Sequence, residues 1–278
     1  MRYFSLVFFL LSMGLSLSSQ TMDVGFGFGG SNYSGDLTPT TSSVLKGSSW
    51  TGLLQSRMSI SSSISFKIQY QFLNVSADDR DGNQSYQSFR DLRFRSSIHE
   101  LALLGQLDPL VLLTKTARRN QFYLTAGYGF FVFKPEAEFQ GETYSLRELG
   151  TEGQGLKGYP DFYSLKSHAL IMGFGYRYII SSKWSIGVEY LTRKTQTDYL
   201  DDLSTDYVDY DILKEQRGIA AAELGNKNRI QHKSQRANPL DRDWYNSLAI
   251  LVAYNFSKEK ETLTPYKKRK KNVSCPKF

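Results

Sequence analysis

The chain has 278 residues and a formal net charge of +7, and 40% of its residues are hydrophobic, including 18 Tyr and 18 Phe. That length fits one domain or at most two, and the aromatic load suits strands better than helices. A mean hydropathy of −0.39, with no run after residue 20 near the ~20 apolar residues of a spanning helix, excludes a bundle of membrane helices.

The first segment, MRYFSLVFFLLSMGLSLSSQ, places Arg2 before an apolar stretch from Phe4 to Leu17 and then small residues. This is the pattern of a secretory signal peptide, expected over residues 1–19 and cleaved near Ser18 or Ser19. An exported chain whose one cysteine is Cys275 forms no internal disulfide. Export also argues against a nucleic-acid partner.

Eight segments then alternate large apolar residues with small or polar ones: 24–30, 53–60, 64–72, 94–104, 122–132, 168–178, 184–191 and 247–256. In ISFKIQYQF (64–72), Ile64, Phe66, Ile68, Tyr70 and Phe72 share one face, with Ser65, Lys67, Gln69 and Gln71 on the other. Period-two alternation marks a two-faced strand, and each run is close to the ~10 residues of a tilted membrane strand. The segment 94–104 is strand-like with an uncertain phase, read with Glu100 and Ala102 inward.

The connections alternate in length. Short turns fall at Ser61–Ser63 and Ser181–Lys183, with a longer link at 105–120 on the same side, whereas 31–48, 75–92, 134–166 and 193–243 are long. Short turns at one end and long loops at the other describe an outer-membrane barrel. A soluble lipocalin has the same strand count but an apolar interior and a polar exterior. Here the weak face is Gly, Ser and Ala with isolated charges, as the crowded interior of a narrow barrel requires. Trp184, Tyr178, Phe122 and Phe256 gather at the short-turn end, and Trp50, Trp244, Phe72 and Tyr190 at the other, as two interfacial girdles. The expected fold is therefore all-β: an eight-stranded up-and-down antiparallel transmembrane β-barrel over residues 20–256, with long extracellular loops and its apolar face on lipid. An even strand number returns the chain to its starting side, so residues 257–278, with KKRKK at 267–271, form a basic periplasmic tail.

FGGSNYSGDL (28–37), LRFRSSIHELAL (92–103), LGTEGQG (149–155) followed by Tyr159-Pro160, RKTQTDYLDDLSTDYVD (193–209) and DWYNSLAILVAYNF (243–256) occur in this order. As a set they resemble the PorG-like outer-membrane barrels of Bacteroidetes, which include a component of the type IX secretion and gliding machinery. The resemblance implies a small barrel that contacts the periplasmic ring of lipoprotein and ring subunits. The basic extension after Phe256 departs from that family's usual ending at the last strand.

Candidate sites remain. Inward Arg57, Lys67, Glu100, Arg177 and Glu189 are read as a lumen ion-pair network plugging a narrow bore, with Arg57 and Lys67 facing each other across one hairpin and Glu189 diagonal to Arg177 across another. An uncompensated buried charge is costly, and eight strands leave a bore just filled by side chains. Asp198, Asp201, Asp202 and Asp206, with Asp209 and Asp211, could bind calcium through oxygen ligands or structure the loop, and a short helix is expected through ILKEQRGIAAAEL. LGTEGQGLKGYP lacks the Gly-Lys-Ser/Thr ending of a phosphate loop and reads as a shaped loop whose glycines permit positive φ. His99, His168 and His232 are far apart, and the Ser and Glu adjacent to two of them point to opposite strand faces. No cofactor is expected. The expected role is a non-enzymatic assembly or anchoring component in contact with outer-membrane lipid; the alternatives are a lipid-modifying outer-membrane enzyme and an adhesin-like barrel acting through its loops.

Overall fold

The computed structural model describes residues 21–38, 47–81, 90–114, 116, 119–238 and 241–257. The expected signal peptide, and the basic tail beyond Ser257 with Cys275, lie outside the described residues. Among those described, the strands are β1 (Thr21–Ser34), β2 (Ser49–Ser59), β3 (Ile64–Asp78), β4 (Arg93–Leu107), β5 (Asn120–Phe139), β6 (Glu142–Ser145), β7 (Lys166–Ile179), β8 (Trp184–Thr195) and β9 (Trp244–Asn255). The helices are α1 (Pro109–Thr114), α2 (Leu146–Leu149), α3 (Tyr210–Arg217) and α4 (Ile219–Asn226).

Eight of these strands close on themselves. Each of β1 to β5 pairs antiparallel with the next, β5 pairs with β7, β7 with β8 and β8 with β9, and β9 returns to β1. The remaining strand, β6, pairs only with the far end of β5, from Phe139↔Glu142 to Glu136↔Ser145. This is a closed, eight-stranded, up-and-down antiparallel barrel, an arrangement that leaves no open edge.

The two tight turns use the same device. Ser61 Oγ accepts from the Ile64 N–H at 3.0 Å, and Ser181 Oγ accepts from the Trp184 N–H at 3.1 Å. Serine suits these positions because its hydroxyl substitutes for a backbone turn acceptor. In the third link, Asp108 Oδ1 accepts from the Val111 N–H at 2.9 Å and starts α1.

Strand parity fixes two faces. Phe26, Phe28, Leu103, Phe130 and Ile250 are each about 60% exposed on the outside, part of a continuous apolar band. A band of that extent is incompatible with water and fits the hydrocarbon layer. Its short-turn border carries Trp184, Tyr254 and Phe256 in edge-to-face contact, and its loop-side border carries Trp50 packed on Phe28 and Phe72.

The strands run further than alternation alone suggests, to Asp78 on β3 and through 20 residues on β5. Beyond the band the polarity of the two faces reverses. Asn74, Ser76, Arg93, Arg95, Lys134 and Glu136 point outward, while Leu73, Val75, Phe94, Ile98, Phe131 and Phe133 are buried inside. Those inner residues join Tyr33, Leu37, Leu146, Leu200 and Leu203 in the largest apolar cluster of the described residues. The described parts of the long loops thus fold onto the barrel as a packed cap. The single helix expected through ILKEQRGIAAAEL is two helices, because Gly218 (φ 92°) breaks the run; Asp209 caps α3 by accepting from the Asp211 and Ile212 N–H groups.

Close strand contact is glycine-dependent at particular places. A Cβ on Gly127 would lie 2.1 Å from the Leu103 carbonyl oxygen, whereas one on Gly52 meets nothing within 4 Å. Gly127→Ala is expected to lower barrel stability by ~1–3 kcal/mol, as overpacking does, and Gly52→Ala to leave it nearly unchanged. Urea titration followed by gel mobility of the folded form checks this; equal midpoints would contradict the close packing at Gly127.

Candidate functional site

The inward residues of the membrane band form two charged levels. At the lower level, Lys67 on β3 reaches across the bore to Glu189 on β8, Nζ to Oε1 2.5 Å. With eight strands, β3 and β8 lie opposite each other. Gln106 donates to Glu189 Oε2 at 3.1 Å and accepts from Arg177 Nη2 at 3.2 Å. Arg177 also donates to Gln121 Oε1 at 3.3 Å, and its guanidinium lies over the Tyr123 ring at 4.8 Å. Arg57 pairs with Asp23, its register partner on β1, and donates to Ser59 and Ser65 Oγ.

At the upper level, Arg193 on β8 contacts both oxygens of Glu100 on β4, at 3.1–3.3 Å. It also donates to Gln71 Oε1 at 2.6 Å and Ser247 Oγ at 2.7 Å, while Tyr245 Oη donates to Glu100 Oε2 at 2.7 Å. Leu191 separates Glu189 from Arg193 along β8, and Gln69 separates Lys67 from Gln71 along β3. Leu53, Ala102, Leu104, Ile171, Ala249 and Leu251 fill apolar space in the bore. Lys67, Gln69, Gln71, Glu100 and Arg193 are all buried.

All five lumen residues named from the sequence point inward, and Arg57 and Lys67 are cross-strand neighbours. Their pairing differs from the expected one. Glu189 serves Lys67 rather than the diagonal Arg177, because the bore is narrow enough for opposite strands to touch. Glu100 belongs to a separate level with Arg193. Arg193 and Asp23 lie just outside the runs 184–191 and 24–30 that alternation marks; continuing the same parity two residues past Leu191 and one residue before Val24 finds both.

The cap carries a second polar system. Glu152 accepts from the Ser204 and Thr205 N–H groups, from Thr205 Oγ1 at 2.7 Å and from Arg236 Nη1 at 3.0 Å. Asp202 accepts from Tyr163 Oη at 2.6 Å and from Thr151 Oγ1. Tyr33 Oη lies 2.6 Å from Asp201 Oδ2 and 2.8 Å from Asp243 Oδ1, with one proton to give. Arg90 grips Asp79 with Nε and Nη2 at 2.8 and 2.7 Å. Of the carboxylates read as possible calcium ligands, Asp201 and Asp202 are buried on different partners, Asp198 is buried with neither carboxylate oxygen hydrogen-bonded among the described residues, and Asp206 is exposed beside the Asp206↔Gln235 bridge. Among the described residues, no group of three or more His, Cys, Asp or Glu side chains is arranged to hold a metal ion. In LGTEGQGLKGYP, Gly150, Gly153, Gly155 and Gly158 all have positive φ, and the loop places Thr151 and Glu152 inside the cap. Glu152 and Arg236 carried no sequence signal, because the partners are 84 residues apart.

Burial pushes the Asp198 carboxyl up to about 7 and that of Asp202 up to about 6, and raises Asp201 and Asp243 well above the carboxylate range. These groups bind protons in the folded cap at a pH where the unfolded chain does not. Stability therefore falls as pH rises through roughly 4 to 7, and rises on acidification over the same window.

Two outcomes are expected. Glu189→Ala should destabilise the barrel by ~3–5 kcal/mol, the cost of leaving Lys67 buried without its partner, and Glu142→Ala, in the exposed β6, by under ~1 kcal/mol. Equal heat-modifiability on gels would contradict the assigned pair. Separately, loop resistance to trypsin in the folded barrel should increase from pH 8 to pH 5, at up to ~1.4 kcal/mol per unit for each titrating carboxyl, with a shallower slope in Asp198→Asn. A flat or rising profile with pH would count against the buried protonated set.

Residues 1–217 match the family described as Domain of unknown function (DUF6089), and the chain belongs to it. Among solved structures it is similar to Neisserial surface protein A (9% identity over 86% of this chain and 100% of that one, TM-score 0.42). It is also similar to Ail, the attachment invasion locus protein of Yersinia pestis (9%, 86% and 99%, 0.41), and to the outer membrane protein OprG from Pseudomonas aeruginosa (11%, 86% and 96%, 0.40). No curated protein matches.

Proposed function

We propose that this member of the DUF6089 family is a non-enzymatic outer-membrane barrel that serves the type IX protein secretion and gliding machinery by joining the outer membrane to periplasmic ring subunits. The observation that carries the reading is the bore: Lys67–Glu189 and Arg193–Glu100 cross it at two levels. A barrel stoppered by buried ion pairs acts through its surfaces rather than as a conduit. The partner class rests on the resemblance of FGGSNYSGDL, LGTEGQG and DWYNSLAILVAYNF to the PorG-like barrels. In this reading the short turns and the tail from residue 257 face the periplasm, and the folded cap faces outward.

A lipid-modifying enzyme is less well supported. Such an enzyme needs a His beside a nucleophile and a carboxylate. His99 instead faces the lipid side and bonds Tyr70 Oη at 2.7 Å, and His168 stacks on Tyr128. The packed cap does favour one second reading, an adhesin-like barrel working through its loops, because a fixed surface can recognise a partner without an ordering cost.

Affinity capture of the tagged full chain from native membranes decides between them. Ring lipoprotein and ring subunits should co-purify under the assembly reading. Recovery of the barrel without them, together with binding of the intact cap to extracellular material, would replace it with the adhesin reading.

A further inference from the structure

At the short-turn end the bore opens into a cavity of about 410 Å³. Arg57, Arg177, Asp23 and Asp108 line it, and serines of both tight turns, Ser62 among them, form its rim. Its floor leaves one cation without an ion-pair partner among the described residues. Arg57 has Asp23 and Lys67 has Glu189, but Arg177 has only the neutral Gln106 and Gln121 and the face of Tyr123. Among the described residues no carboxylate forms an ion pair with Arg177, although it is only 7% exposed. A buried cation in that position lacks the compensation that its burial demands.

The same cavity holds unmet hydrogen-bonding groups of both kinds. Arg57 Nε has no acceptor, and Asp23 Oδ1 and Asp108 Oδ2 have no donor. A simple inorganic anion would neutralise Arg177 and yet be repelled by those two carboxylate oxygens. A peptide answers both needs, since it brings a carboxylate for the arginines and N–H donors for Asp23 and Asp108. The volume also lies in the range of a ligand site and far above the ~30 Å³ share of one water. We propose that this vestibule binds a carboxylate-bearing peptide segment presented from the short-turn side, with Arg177 as its charge partner. The site stands on the geometry of the lower lumen and does not need the anchoring role.

The test uses the full chain folded in detergent micelles, with acetyl-Asp-Gly-Asp amide as probe and sodium sulfate as competitor, read by titration calorimetry. The peptide should bind, and Arg177→Gln should weaken it at least tenfold, as loss of a hydrogen bond to a charged group does. Lys134→Gln, on the outer surface, should leave binding unchanged. Because Arg177→Gln alters a buried site, a second variant leaves the lumen intact: Ser62→Cys in a Cys275→Ser background, capped with a bulky maleimide, should abolish binding, and the uncapped form should retain it. Absence of peptide binding to the wild-type chain, an affinity indifferent to Arg177→Gln, or binding that survives the cap would each overturn the proposal. Sulfate displacing the peptide at equal concentration would reduce the site to one for adventitious anions and overturn it too. Arg177-dependent peptide binding would stand even if no ring subunit co-purified, so the two readings fail separately.

Discussion

A chain that crosses hydrocarbon must satisfy every backbone N–H and C=O within itself, and here the pairing of β9 with β1 completes that requirement. Closure makes parity absolute. Each strand residue is either outside, against lipid, or inside a bore formed by only eight strands. The outer positions are accordingly rich in Phe, Leu, Ile and Met, and the inner ones combine glycine, serine and a few aliphatic residues with long polar side chains that must find partners among themselves. The narrowness that brings Lys67 to Glu189 across the bore is the same narrowness that puts backbone from β4 against Gly127.

Leaving the membrane changes the solvent outside, and the residues change with it. Above the loop-side girdle the outer face becomes Arg93, Arg95, Lys134 and Glu136, with Arg95 and Lys134 paired to Glu136. The inner face becomes Val75, Phe94, Phe131 and Phe133, against which the loops pack. One sheet is thus an inside-out protein in its lower part and an ordinary protein in its upper part. The cap rests on that upper apolar floor, and its buried carboxylates are tolerated because Arg236, Arg90 and backbone N–H groups reach most of them.

The two polar systems differ in kind. The cap uses carboxylates to fix loop backbones to one another, as Glu152 does for Ser204 and Thr205. The lumen uses opposite charges to tie distant strands and to close the bore, and at its lower end Arg177 is held by neutral groups alone. A molecule built this way has a bore crossed by ion pairs, an open vestibule at the short-turn end and a packed cap at the other.

Alternation in segments such as ISFKIQYQF is enough to give the number of barrel strands, their antiparallel order, the lipid-facing side and the inward residues Arg57, Lys67, Arg177 and Glu189, because parity is a local property of an extended chain; in 94–104 alternation alone does not fix the phase, and it is the paired strand that turns Glu100 inward. Strand ends were less legible. The pattern inverts at the interface, so Leu73, Val75 and Phe94 no longer sit on the apolar face that the preceding residues define. Pairing was not legible at all: that Glu189 meets Lys67 rather than Arg177, that Glu100 meets Arg193 and that Glu152 meets Arg236 depends on which strands and loops closure brings face to face. Contacts across a bore or between loops are long-range consequences of barrel diameter and stagger, and no local spacing in the chain encodes them.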